Sequence, residues 1–461
     1  MPVEKLDKKT IVGMIAMAMG IFVVANDFTA LSVAIPAIEK TYNVDVTTAQ
    51  WVINIYTLSF SIIIITGGRL ADMFGRRRMF MIGAAIFGIF SLSGGLAENI
   101  EWLLGSRCIM GIGGALMWSS VIGMTYEIVP DSRAGLAGGL IIGVAGMGNA
   151  MGPLIGGFLT DTLGWQWVFF INLPVVIIGV TTMLLVVARD KPTAPNERVD
   201  YIGTILLASG LFAWLLALDI GVDKGWTNPF ILSLFIGGAF IHGAFVIFEK
   251  SVGEAALVPN SIMKNRTFAM SAISILLVTA VFFGALIYLP QFMIKNLGFN
   301  AAQSGAGLLP MMLTFAIFSF IAGRLYEALG AKLIVSAGAA LLAGGAFLLS
   351  TIETHTTYVQ LVPGMVILGV GVGLYFSSVT TVGVKMIDPK HASLAGAILY
   401  MMINASGAMA LALNTAIVAS AHIFAEGISM AFIVNGCLAT AGAVLAILFI
   451  KGKSDKDDIK Q

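Results

Sequence analysis

Fourteen mostly apolar stretches run along the chain, separated by short polar breaks, at residues 11–38, 48–67, 79–97, 102–126, 134–159, 168–188, 201–219, 229–248, 268–289, 304–323, 333–351, 358–384, 392–419 and 428–450. A bilayer-crossing helix needs about 20 such residues, and these stretches match that length. They lack the short alternating period of a membrane strand. The pattern therefore predicts an all-α polytopic membrane protein with 14 transmembrane helices. The first stretch is too long for the apolar core of a cleavable signal peptide, and no cleavage site follows it, so no signal peptide is expected.

Composition agrees. The chain is 58% hydrophobic and 11% charged, whereas a soluble domain is about a quarter charged. Its 53 glycines suit close helix packing in a bilayer. The net charge of +1 matters less than where the charges fall. With a cytoplasmic N-terminus, all but four of the 26 Lys and Arg lie in cytoplasmic segments. The exceptions are Lys40, Lys224 and Lys295 outside, and Arg107 within the membrane. The positive-inside rule thus predicts a multi-pass protein of the cytoplasmic (inner) membrane, with both termini in the cytoplasm. Trp51, Trp102, Trp165, Trp167 and Trp226 gather at the outer boundary as an aromatic belt.

Chemistry is sparse. Cys108 and Cys437 both lie in apolar segments and imply no disulfide framework. The four histidines have no metal-ligand spacing. Neither a phosphate-binding loop nor a catalytic constellation is present. No enzyme activity, metal, cofactor or nucleic-acid partner is expected.

One charged motif recurs. "GRLADMFGRRR" at 68–78 follows the second apolar segment, and "GRLYEALGAKL" at 323–333 follows the tenth. Gly, Arg, Leu and the second Gly coincide; Asp72 meets Glu327, and Arg77 meets Lys332. With segments 7 and 8 set aside as an insertion, each copy follows the second helix of a six-helix half. Internal repeats of this kind mark transporter folds. The predicted organisation is a six-helix bundle over 1–190, two inserted helices with flanking cytoplasmic segments over 191–266, and a six-helix bundle with a cytoplasmic tail over 267–461.

The first copy resembles the signature between the second and third helices of the major facilitator superfamily. Further motifs are similar to that superfamily's fourteen-helix drug:proton antiporters: "NDFTALSVAIPAI" in segment 1, "LLGSRCIMGIGGA" in segment 4 and "GNAMGPLIGG" in segment 5. "GWQWVFFINLP" and "YLPQFMIKNLGFNAAQSGAGLLP" also fit. Met110 stands where the family usually has Gln, and Asn26 where it has Leu. The resemblance implies a proton-coupled antiporter exporting lipophilic, often cationic drugs by alternating access. Small lipophilic or cationic substrates, protons and the lipid bilayer would be its partners, and a monomer is expected. Two other readings use the same scaffold: a proton-coupled exporter of an endogenous metabolite or amino acid, and a passive facilitator or transport-dead sensor.

Asp27 lies well inside segment 1, where a carboxylate is costly unless neutral, paired or wet. Burial favours the protonated form and a nearby cation the charged one, so proton exchange near neutral pH needs both influences. The resemblance places segments 1 and 4 face to face, which makes Arg107 the candidate cation. Asp27 and Arg107 are therefore the expected proton-coupling pair, with proton and cationic cargo displacing one another at Asp27. The competing reading is a purely structural pair. Glu127 is a second candidate proton site, although its place near Pro130 favours a cytoplasmic role.

The charged motif reads as a short cytoplasmic loop. Gly68 permits close helix approach and Gly75 a tight reversal. Asp72 can meet a helix N-terminus or pair with Arg76 or Arg77, and Glu127 is a further partner. The resemblance implies that these groups latch the two halves. Gly148, Gly152 and Gly156 share one face of segment 5, beside Gly157, and Pro153 should bend it. This face is expected to seal against the opposite half. Polar and aromatic candidates for the substrate pocket are Asn26, Asn54, Tyr56, Tyr288, Gln291 and Asn404.

Overall fold

The computed structural model describes residues 7–450 except 45, 131–132, 188–191, 194–199 and 254–255. Lys5, Arg189, Lys191, Arg198 and the basic tail lie outside the described residues. Among the described residues, fourteen helices are long and apolar enough to cross a membrane. They are α1 (Lys8–Val33), α2 (Thr48–Phe74), α3 (Arg76–Gly95), α4 (Ile100–Ile128), α5 (Ala134–Thr162), α6 (Trp167–Val186), α7 (Tyr201–Leu218), α8 (Pro229–Val252), α9 (Arg266–Lys295), α10 (Leu309–Leu329), α11 (Ala331–Leu349), α12 (Tyr358–Lys385), α13 (Pro389–Val418) and α14 (Phe424–Phe449).

Two boundaries differ from the apolar pattern, each for a local reason. The regular part of α1 stops at Ala30, tightens into a 3-10 turn over Leu31–Val33, and a separate short helix, Ile35–Tyr42, follows with Pro36 in its first turn. Proline fits a helix start and disrupts an interior, so one apolar run from 11 to 38 is two elements. Asp27 consequently lies about 9 Å from the C-terminal end of α1. The charged motif is also no loop. α2 continues through Arg69 and Asp72 to Phe74, α3 starts at Arg76, and Gly75 alone separates them, with φ 102°. In the second copy Gly330 separates α10 from α11 with φ 89°. Only glycine takes such a backbone without strain.

Helices α1–α6 pack among themselves, as do α9–α14. Lipid gives helices no hydrophobic reason to associate, so small residues and van der Waals fit hold them together. At Gly83 of α3 a Cβ would lie 2.7 Å from the Gly113 carbonyl of α4. The halves meet along two related seams, α5 on α10 and α2 on α13, widened by α5 with α12 and α4 with α13. α7 and α8 pair with each other. α7 leans on α2 and α13, while α8 turns most of its surface outward.

Candidate functional site

Three features share the interior: a buried ion pair, a seam joining the halves and a cavity between them. Asp27 and Arg107 are both fully buried and joined by a charge-assisted hydrogen bond from Arg107 Nη1 to Asp27 Oδ2. Asn172 of α6 donates its Nδ2 to the other oxygen, Oδ1, at 3.2 Å, and lies 3.1 Å from Ser91 Oγ. Arg107 Nε donates to the Val52 carbonyl at 2.8 Å. Its guanidinium stands 4.1 Å from the Tyr56 ring centroid and 5.7 Å from that of Phe169. Arginine suits such a place because its flat cation can face aromatic rings while its edge donates hydrogen bonds. α1, α2, α4 and α6 all contribute, so the pair belongs wholly to the N-terminal half. Asn172 was not singled out from the sequence; a polar amide inside the apolar stretch of α6 was the available signal.

The seam joining the halves is built from the repeated motif. At Gly68 a Cβ would lie 2.8 Å from the Ser393 carbonyl and 2.9 Å from Leu394 Cα, so α2 and α13 touch almost backbone to backbone. One turn on, Asp72 accepts the Leu394 N–H at 3.0 Å and the Ser393 N–H at 3.4 Å. A carboxylate is favoured there by the free N–H groups and positive end of α13. Arg76 bonds Asp72 at 3.0 Å, Glu127 at 2.9 Å and the Pro389 carbonyl at 2.7 Å. Arg77 turns away from this group and donates to the Leu184 carbonyl at 3.1 Å. Thr193, in the connector toward α7, adds bonds to the Asp72 carbonyl at 3.0 Å and the Lys390 carbonyl at 2.9 Å.

The second copy mirrors the first. Gly323 meets Gly135 at the start of α5, where a Cβ would lie 2.5 Å from the Gly135 carbonyl oxygen, and the Glu327 carboxylate accepts the Leu136 N–H. Tyr126 and Thr381 join α4 to α12 between these seams at 3.1 Å. The two halves are thus tied together at the helix ends that carry the repeated motif.

The glycine face of α5 lies elsewhere than expected. Gly148, Gly152 and Gly156 pack on Phe22–Ala30 of α1, within the same half. Gly157 has only Val33 nearby, and Pro153 lies within the unbroken α5. The seam with the opposite half uses other glycines of α5: Gly135, Gly139, Gly143 and Gly146 against α10, and Gly138 against α12. Spacing shows that glycines share a face but carries no information about which helix covers it.

A cavity of about 190 Å³ lies between the halves. Phe28, Thr29, Ile142, Ala145 and Asn149 form one wall; Phe282, Phe283, Leu286, Phe315, Phe376, Tyr400, Ile403 and Asn404 form the other. Of the six pocket residues expected from the sequence, Asn404 lines it and the other five do not. Asn26 is buried behind the wall. Tyr56 is taken up beneath Arg107 and against Phe28, with ring centroids 5.0 Å apart. Tyr288 bonds Thr415 at 2.7 Å, and Asn54 and Gln291 are half-buried outside the lining. Asp27 does not line the cavity either. Phe28 and Tyr56 stand between, and both carboxylate oxygens are already engaged. Direct displacement of a proton by cargo at Asp27 therefore has no seat in this arrangement. An aromatic chain runs on across the halves: Phe28 touches Phe60 at 5.2 Å, Phe60 touches Tyr400 at 5.9 Å, and Tyr400 packs on Trp118 at 4.2 Å.

The family model described as Major Facilitator Superfamily matches residues 17–312 and 271–460. The chain is 29% identical to the puromycin resistance protein pur8 of Streptomyces alboniger over 448 residues, which covers 95% of this chain and 88% of that protein. It is 31% identical to the multidrug transporter protein MdtP of Bacillus subtilis over 377 residues, covering 82% and 69%. It is 28% identical to the methylenomycin A resistance protein of Bacillus subtilis, covering 95% and 94%. Among solved structures, the human organic anion transporter MFSD10 superposes with a TM-score of 0.71 at 14% identity, over 95% of this chain and 99% of that one. At that identity the likeness concerns the fold alone.

Proposed function

Because the chain belongs to the Major Facilitator Superfamily, we propose that it is a proton-coupled antiporter exporting lipophilic drugs and biocides by alternating access. Drug-resistance relatives that match along most of this chain support drugs as cargo. The proposed setting is the cytoplasmic membrane, with a monomer as the working unit and both termini inside.

One observation carries the coupling: a carboxylate and a guanidinium, both fully buried, are paired within the membrane-crossing helices. Protonating Asp27 removes the charge that balances Arg107. A buried ion left without its partner costs about 3–5 kcal/mol. Proton uptake thus favours a second arrangement in which Arg107 regains water or another partner. Arg107 faces Tyr56, Tyr56 packs on Phe28, and Phe28 lines the cavity. Cargo and proton therefore act on one arrangement from its two sides, and their influence on each other's binding is reciprocal. Exchange by this route needs no contact between cargo and carboxylate.

In the same reading the Asp72 and Glu327 seams hold the cytoplasmic side closed and part when the protein opens inward. Substrate-induced proton release tests antiport. Lipophilic dye added to the purified transporter in weak buffer should acidify the solution, and Asp27→Asn should not. Dye binding to the wild type without any proton release would refute antiport.

A further inference from the structure

Resting on the export reading above, we propose that the cavity between the halves selects uncharged aromatic compounds bearing a hydrogen-bond acceptor, and that Asn404 reads the acceptor. Three observations converge on it. First, among the described residues no Asp, Glu, Lys, Arg or His lines the cavity. A cation moved there from water meets no opposite charge. The buried carboxylate of the N-terminal half is screened by Phe28 and Tyr56 and already holds Arg107 and Asn172. Arg107 adds a positive charge on that same side. Aromatic faces attract cations only modestly, far less than the hydration a cation gives up.

Second, the walls suit rings. Phe28, Phe282, Phe283, Phe315, Phe376 and Tyr400 offer faces and edges from both halves. Phe282, Phe315 and Phe376 already contact one another edge-on, at centroid separations of 5.6 to 6.1 Å. A flat ligand continues that stacking. The volume of about 190 Å³ is below the roughly 300–1,000 Å³ of drug-sized pockets, so a compact ring system fits this conformation.

Third, Asn404 lines the cavity, and its buried Nδ2 has no hydrogen-bond partner among the described residues. An unsatisfied buried donor is unfavourable, and a ligand carbonyl supplies what it lacks. Asn404 sits on α13, whose first turn is held by Asp72. The group that reads the acceptor thus rides on a helix of the cytoplasmic seam.

The test uses three ligands with one skeleton: N-methylacridone, neutral with a carbonyl; N-methylacridan, neutral without one; and N-methylacridinium, a permanent cation. Binding to the purified full-length protein in lipid nanodiscs is measured by equilibrium dialysis. N-methylacridone should bind at least tenfold tighter than N-methylacridinium. Asn404→Leu should weaken N-methylacridone about tenfold, equivalent to about 1.4 kcal/mol, and leave N-methylacridan within twofold. Asn404→Asp should raise N-methylacridinium affinity at least tenfold; this variant serves if Asn404→Leu does not fold. Equal or tighter binding of the cation by the wild type overturns the proposal. So does an Asn404→Leu variant that loses N-methylacridone and N-methylacridan alike. Parallel flux measurements in proteoliposomes separate the two readings. Selective N-methylacridone binding without gradient-driven flux of any of the three removes the export reading and keeps the pocket. Driven flux of N-methylacridinium with no preference for N-methylacridone does the reverse.

Discussion

Replacing Asp27 by Asn changes almost nothing in shape and removes one charge. The amide retains an oxygen for Arg107 or Asn172, but its NH2 group then faces a neighbour that also donates. Arg107 remains fully buried. It keeps the Val52 carbonyl at 2.8 Å and the Tyr56 ring at 4.1 Å. That residual cation–π contact is worth up to about 2 kcal/mol, whereas loss of the buried partner costs about 3–5 kcal/mol. The deficit of a few kcal/mol is one to two orders of magnitude in any equilibrium that relieves it. Asp27→Asn should therefore rest in the arrangement that protonation selects in the wild type and should no longer respond to the proton gradient. The assay is dye transport in proteoliposomes, with and without an imposed pH gradient. Downhill dye movement should persist, and the gradient-dependent component should vanish. A double-mutant cycle with Arg107→Gln checks the pairing. The two single variants should each lower stability, and the double variant should lose less than their sum, with a coupling toward the upper end of about 0.5–3 kcal/mol. Full gradient-driven transport by Asp27→Asn, or additive losses in the cycle, would refute the coupling argument.

Asp72→Asn removes the charge that caps α13 and balances Arg76; a lost cap alone is worth about 1 kcal/mol, so the variant should insert normally, transport slowly and populate the inward-open form. Pulsed electron resonance between labels at the C-terminal ends of α4 and α12 should show the lengthened distance, and an unchanged distance would count against the seam. Gly323→Ala places a methyl 2.5 Å from the Gly135 carbonyl oxygen and 2.7 Å from its carbon, overpacking the closed state by about 1–3 kcal/mol, and the same distance should increase. Gly152→Leu collides with Thr29 and Ala30 inside one half, so it should lower the monodisperse folded fraction on size exclusion without favouring either open form. A cysteine at Asn228, introduced after replacing Cys108 and Cys437, should react with an impermeant maleimide from outside intact cells; reaction only after lysis would reverse the assigned orientation.

Legibility differed by feature. The helix count was readable because burial in hydrocarbon demands about 20 apolar residues for every crossing, a one-dimensional signal. The repeat around Asp72 and Glu327 was readable for a similar reason, since two copies at matching places need no contact to be seen. Acid and glycine together also hinted that Asp72 meets a helix end. The identity of that end did not follow, because Leu394 is more than three hundred residues away along the chain. Asn172 and Thr193 were passed over for the same cause: each is an ordinary polar residue until folding carries it to Asp27 or Asp72.

By itself the sequence determined the all-helical membrane architecture, the repeat and the presence of an acid and an arginine within membrane-crossing segments. Tertiary structure alone decided what each of these faces. The Gly148, Gly152 and Gly156 face covers α1, where the opposite half was expected, and the seam falls to Gly135 and Gly323. It also decided that Asp27 is not among the residues that line the cavity, while Phe28 and Asn404 are. The physical reason is that apolarity and periodicity report how a helix meets its solvent, lipid or protein. Which protein surface it meets depends on packing between segments far apart in the chain, and local residue types do not encode that choice.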